Sequence, residues 1–215
     1  MLILLPSCVY FIFASLYYTF DKYNLFPKYK INSNIDYNIS EILTRVINTQ
    51  LIQLFLAYVI DSNERGELSL ITIPKIFLAM IVMDTYQYFI HYYLHQNKYL
   101  YKNIHSIHHK ISQPYSFMAL YNSYIESIIL DVGSALFTEL ICGLTKYEAI
   151  LFFSIATMKT VSDHSSYMLP YDPFTYFPNN AKYHEIHHDY KGFNKNFQQP
   201  FFTFWDSYFK TKKIC

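Results

Sequence analysis

The sequence predicts an all-α, polytopic integral membrane bundle carrying a histidine-rich cytosolic cap, and three observations lead there. Apolar residues make up 52% of the chain and charged ones only 15%, where a soluble domain carries about 25% charged. The apolar residues gather in long runs bounded by polar stretches, and the nine histidines lie almost entirely in three clusters. The 23 Tyr and 19 Phe add to the first point, since such rings concentrate in packed cores or in the belts at a membrane's two surfaces.

The first run, residues 1–20, "MLILLPSCVYFIFASLYYTF", holds no charge and as a helix is long enough to cross a hydrocarbon core of about 30 Å. No basic stretch precedes it and no small-residue cleavage site stands before Asp21 and Lys22, so it reads as a retained anchor rather than a signal peptide. Further apolar runs cover 42–60, 68–93, 117–143 and 147–161. The last has fifteen residues and contains Lys159, so only a partial crossing is expected, and four or five membrane segments result.

Lysine and arginine set the orientation. They concentrate in 22–30, in 98–110 and after Asn179, whereas the turn "DSNERGE" at 61–67 holds one, Arg65, among three acids. Alternating segments put all the basic stretches, every histidine cluster and the C-terminus on the cytosolic side. No Pro/Gly/Ser linker divides the chain, so residues 1–215 read as a single membrane domain, with anchor helices in 1–69, a catalytic region in 70–215, and a cap made from 96–116 and 162–215.

Several function classes drop out. A net charge of +1 gives no bulk attraction to nucleic acid. Cys8, Cys142 and Cys215 are far apart and odd in number, which indicates reduced thiols rather than a disulfide framework or zinc knuckle. Four glycines, Gly66, Gly133, Gly143 and Gly192, build neither a dinucleotide-binding turn nor a phosphate loop. If the chemistry is oxidative, electrons come from another protein.

The histidines carry the chemistry. His91 and His95 are four apart in "DTYQYFIHYYLHQ", which puts both on one helical face. "NIHSIHHK" and "YHEIHHDY" repeat H-x-x-H-H with His105, His108 and His109, then His184, His187 and His188, and each box is expected to converge three nitrogens. His164 stands where the fifth run emerges. A histidine pair alone is ordinary interfacial polarity, and His164 alone is a hydrogen-bonded core residue. Together, a repeated spacing on one membrane face indicates metal ligands. Imidazole suits Zn, Cu, Fe and Ni, but a zinc takes three or four protein ligands, so eight or nine histidines indicate two ions, such as a di-iron pair. A membrane metal transporter is the rival class; it would place polar groups near the bilayer midplane, whereas these lie at helix ends.

The order H-x3-H, H-x-x-H-H, a lone His, then H-x-x-H-H resembles the fatty acid hydroxylase and sterol desaturase superfamily. Longer stretches, "DTYQYFIHYYLHQNKYLYKNIHSIHHKISQPYSFMALYN", "ATMKTVSDHSSYMLPYDPF", "FPNNAKYHEIHH", "QQPFFTFWDSYFKT" and "DKYNLFPKYKI", are similar to its sphingolipid C4-hydroxylase branch. The resemblance implies a di-iron monooxygenase of the endoplasmic reticulum, with O2 as cosubstrate, acting on C4 of a sphingoid base such as sphinganine or on the corresponding ceramide. Its electrons would come from NAD(P)H through cytochrome b5 and its reductase. It also implies that all nine histidines, His164 included, are metal ligands. A sterol or a fatty acyl chain is the alternative substrate within the superfamily.

Carboxylates expected to orient the ligand rings are Asp84, seven residues before His91, Asp163 beside His164, and Glu185 after His184. Two departures stand out: "YNSYIES" has Ser123 where relatives commonly have His, and Ser166 follows "DHS" where they tend to have Gly. The tail "KTKKIC" places Lys212 and Lys213 as in a dilysine retrieval signal of endoplasmic reticulum proteins.

Overall fold

A computed structural model describes residues 4–32, 38–60 and 66–214. Most of the acid-rich turn used to assign the non-cytosolic side, 61–65, lies outside the described residues. Regular structure among the described residues is helical, with one isolated bridge between Lys30 and Tyr167.

The long helices follow the apolar runs. Helix α1 (Leu5–Lys22) begins with Pro6 and ends on Lys22, matching the preference for proline where amides lack partners and for a cation where carbonyls do. Helices α2 (Ile39–Ile60) and α3 (Thr72–Gln96) follow. The run 117–143 is not one continuous segment: it opens as a 3₁₀ turn, Ser116–Leu120, and its helix starts only at Tyr124. That helix comprises α5 (Tyr124–Glu126), a π-helical stretch (Ser127–Val132) and α6 (Gly133–Cys142). It stops at Gly143, whose φ of 56° is the left-handed helix ending that glycine adopts without strain. Helix α7 (Lys146–Asp163) opens on a reciprocal Thr145/Glu148 capping box and has 18 residues, longer than expected. Lys159, the charge in this run, is fully buried against Asp163 and donates to the Asn179 carbonyl at 2.8 Å.

Two cores hold the bundle. Tyr10, Ala14 and Tyr17 of α1 pack with Ile42 and Val46 of α2, Met118 and Val161. Ala79 and Met83 of α3 pack with Ala149, Phe152 and Ala156 of α7 and with Phe201. Outward faces stay apolar: Leu51, Phe55 and Tyr58 on α2, Ile73 and Phe77 on α3, and Leu140 on α6 are all more than half exposed. So much contiguous apolar surface calls for a nonaqueous partner. By length and composition, one described helix, Ile39–Ile60, is able to cross a membrane.

The cap closes over the ends of α3 and α7. It contains α4 (Lys98–Asn103), the 3₁₀ helix His105–Lys110, α8 (Ala181–His188) and α9 (Phe204–Tyr208). Asn97 and Asn180 cap α4 and α8 by accepting from backbone N–H groups, the usual role of Asn at a helix start. The tail is tied down: Lys212 Nζ donates to Thr203 Oγ1 at 3.1 Å and Lys213 Nζ to the Lys191 carbonyl at 2.9 Å.

Candidate metal centre

All nine histidines meet, in two groups. His91, His95, His105, His109 and His187 form one; His108, His164, His184 and His188 form the other; within each group the ligand-capable nitrogens lie within 4.8 Å of one another. Neither H-x-x-H-H box converges on a single point. His105 and His109 enter the first group and His108 the second, while His184 and His188 enter the second and His187 the first. The reason is angular: residues i+3 and i+4 leave a helix about 100–120° apart, so they face different points. The two boxes are exchanged copies, each giving its i and i+4 residues to one group and its i+3 residue to the other.

Four rings are locked by their outer nitrogen. Nδ1–H of His91 donates to the Phe197 carbonyl at 2.8 Å, that of His164 to Thr160 at 2.8 Å and that of His187 to Lys195 at 2.7 Å. The fourth, His105 Nδ1, meets Glu126 Oε1 at 2.6 Å with both side chains 1% exposed. A ring that spends its proton outward presents a bare Nε2 inward, the state a metal needs. Burial holds the imidazoles of the cap neutral: His108 is pushed down to about 4, and His105 and His184 also fall well below the usual histidine range, burial first and neighbouring rings second.

Inner nitrogens crowd. His105 Nε2 stands 2.8 Å from that of His95 and 3.0 Å from those of His91 and His109; His184 Nε2 stands 2.9 Å from that of His164 and 3.1 Å from that of His188. Neutral rings cannot satisfy three such contacts on one nitrogen by hydrogen bonding, and lone pairs this close repel unless a cation lies among them. Two imidazole nitrogens about 2.1 Å from one ion stand about 3.0–3.4 Å apart, the range that these contacts approach, and five imidazoles exceed a closed tetrahedral shell. The donor set therefore fits a pair of metal ions.

None of the three expected carboxylates orients a ring. Asp84, fully buried, accepts from Gln198 Nε2 and from the backbone N–H groups of Phe201 and Phe202 at 3.2, 3.1 and 2.6 Å. Asp163 pairs with Lys159. Glu185 faces Lys30 and Ser166, and burial pushes its carboxyl up to about 7 while those neighbours draw it back. The carboxylate that does touch a ligand ring is Glu126, and the signal was available: like Asp84, it is an acid inside an apolar run. Asp206, also missed, accepts from Phe197 N and Gln198 N, both at 2.9 Å, and so fixes the strand of chain that supplies the carbonyl to His91.

The two departures have structural roles. Ser123 caps the helix carrying Glu126, accepting from Glu126 N at 3.1 Å. Ser166 sits at φ 57°, the left-handed region that favours glycine, and donates to the Pro114 carbonyl at 2.9 Å. Gly192 is needed sterically: a Cβ there would lie 1.6 Å from the Ile186 carbonyl oxygen. Its absence lets the loop fold back on α8 and bring the Lys195 carbonyl to His187.

Glu126→Gln is expected to weaken metal retention or turnover by about 10- to 100-fold, the usual cost of removing a carboxylate behind a ligating imidazole. Chelator competition against the unaltered chain measures it, and equal retention would show that the cluster orients His105 unaided.

Comparison with known proteins places this centre. The fatty acid hydroxylase family model matches residues 76–211, the span holding all nine histidines. A sphinganine C4-monooxygenase of Arabidopsis thaliana is 38% identical, covering 94% of this chain and 83% of its own. A sphingolipid C4-hydroxylase of Schizosaccharomyces pombe is 51% identical over 60% of this chain, which spans only 45% of that relative. A very-long-chain aldehyde decarbonylase of Oryza sativa is 34% identical, covering 94% of this chain and 83% of its own. No solved structure matches significantly. With its paired histidine clusters inside the matched span, this chain belongs to the fatty acid hydroxylase family.

Proposed function

We propose that the chain is a membrane-bound di-iron monooxygenase that hydroxylates C4 of a sphingoid base, converting sphinganine-type to phytosphingosine-type lipids. The observation that carries this reading is the pair of buried imidazole clusters, five and four strong, within a chain similar to a sphinganine C4-monooxygenase over 94% of its length. All nine histidines would hold the metal. Bound iron would supply the activation of dioxygen needed to oxidise an unactivated C–H bond, at the cost of two electrons and two protons per turnover.

The chain's own share is positional. Phe197, Thr160 and Lys195 carbonyls and the Glu126 carboxylate fix four rings, and the closed cap keeps water from them. Electrons would come from NAD(P)H through cytochrome b5 and its reductase. Residues 1–69 would anchor the catalytic region 70–215 in the endoplasmic reticulum membrane, with the cap and C-terminus in the cytosol. The exposed apolar faces of α2 and α3 support the membrane setting.

Similarity to the rice decarbonylase favours one second reading, the same centre acting on a very-long-chain aldehyde. Lipid mass spectrometry after expression in cells lacking C4-hydroxylase separates them. The expected result is a 4-hydroxylated sphingoid base that requires the intact histidines; good expression with a working electron donor and no such product would reject the C4 assignment.

A further inference from the structure

A cavity of about 260 Å³ lies among α1, α2, α3, α6 and α7. One end is lined by Gln87, Thr160 and Pro200. Gln87 and Thr160 stand four residues before His91 and His164, about one helical turn, so the cavity closes directly beneath the metal centre. Leu54, Ala57, Leu136, Ile150 and Phe153 supply apolar wall, suited to a hydrocarbon chain.

The wall also carries polar groups, among them Gln50, Gln53, Glu139 and Lys146, and one carboxylate stands apart from them in a wide helical turn. Asp131 lies in the π-helical stretch Ser127–Val132, part of the same helix as Glu126. Such wide turns cluster at functional sites because they redirect side chains at the expense of regular hydrogen bonding. Here Tyr86 Oη donates to the freed Ile129 carbonyl at 3.1 Å, bracing the wide turn. Gln53 Nε2 and Asn122 Nδ2 both donate to Asp131 Oδ2, at 2.8 and 3.4 Å. Asn122, Ser127 and Gln53 are the groups that bear on this carboxylate, and none of them is cationic; Lys146 lines the same cavity without bearing on it. A carboxylate in a largely apolar cavity with only neutral amide and hydroxyl donors is costly until a cation joins it.

We propose that Asp131 is the head-group anchor of this cavity and that it selects a long-chain amine, bound as its ammonium, over the neutral N-acylated form. The ammonium sits at Asp131, Gln53 holds the carboxylate in register, and the chain's first methylenes lie toward the Gln87–Thr160 end, beneath the histidines. This assignment rests on the C4-hydroxylase reading for the identity of the lipid, but not for the charge of its head.

The test uses the full metal-loaded chain in detergent. Asp131→Asn is expected to raise KM for sphinganine by roughly 30-fold or more, the cost of losing one partner of a buried charge pair. Metal content, kcat and KM for dihydroceramide should each change by less than about 3-fold, and Asp131→Glu should restore most of the loss. An equal change for both lipids, or none, would overturn the anchor. If the unaltered chain hydroxylates neither lipid, the C4 reading fails, and equilibrium binding of octadecylamine then decides the anchor alone: binding weakened by Asp131→Asn sustains it, unchanged binding rejects it. Should that variant not accumulate, Gln53→Leu replaces it and is expected to weaken octadecylamine binding at constant metal content; unchanged binding would again reject the proposal.

Discussion

A chain carrying both His105→Ala and His108→Ala is expected to lose metal from both sites, although either change alone weakens one site of two. The two residues come from one box but belong to different groups, so each single variant damages a different site. A box that converged on one ion would behave otherwise, with the double variant still holding the second ion. His105→Ala with His109→Ala is the control, since both fall in the same group and the group of four stays complete. Turnover should drop by more than about 100-fold in each single variant, beyond the range seen when only a ligand's supporting partner is lost. His108→Ala should be the harsher, because it leaves three imidazoles where His105→Ala leaves four. Metal analysis per chain, with turnover on the same preparations, measures both effects.

That division of each box marks where sequence reasoning stopped short. Spacing indicated which histidines gather, because i, i+3 and i+4 residues lie on one side of a helix. It did not tell which group each joins, because that depends on how two short helices, His105–Lys110 and Ala181–His188, are set against each other. Helical class and the long apolar runs were legible for the same local reasons: runs, caps and a proline start are properties of neighbouring residues. The break before Tyr124 was not, since "SFMALYNSY" is apolar enough to continue a helix and is turned by tertiary contacts, among them Tyr10 Oη donating to the Phe117 carbonyl at 2.7 Å.

Carboxylates show the same limit more sharply. Asp84, on one helical face with His91, and Asp163 and Glu185, each next to a histidine, all meet other partners in the fold. Glu126 lies 21 residues from His105 yet bonds it. What sequence did convey is that an acid within an apolar run must be paired with something; the partner is a matter of fold. Lys159 obeys the same rule, buried against Asp163 and holding the Asn179 carbonyl just ahead of α8.

Asp84 shows how a residue that touches no ligand still governs one. The chain from Phe197 to Phe202 has no helix to absorb its amides, and buried amides need acceptors. Asp206 takes the first two and Asp84 takes those of Phe201 and Phe202 together with the Gln198 side chain. The segment so fixed delivers the Phe197 carbonyl to His91 Nδ1. Asp84→Ala leaves three donors, two of them buried, without an acceptor at about 1–3 kcal/mol each, so a loss of about 3–9 kcal/mol is expected. That is a large part of the 5–15 kcal/mol of a typical fold. Asp84→Asn keeps the shape and one acceptor oxygen, so it should fall between the two. Thermal unfolding of the metal-free and metal-loaded chain tests the route. If Asp84 acts through the segment, both forms lose stability together and saturating metal restores two ions per chain. If instead it oriented His91 directly, metal affinity would fall while the metal-free chain unfolded at its normal temperature.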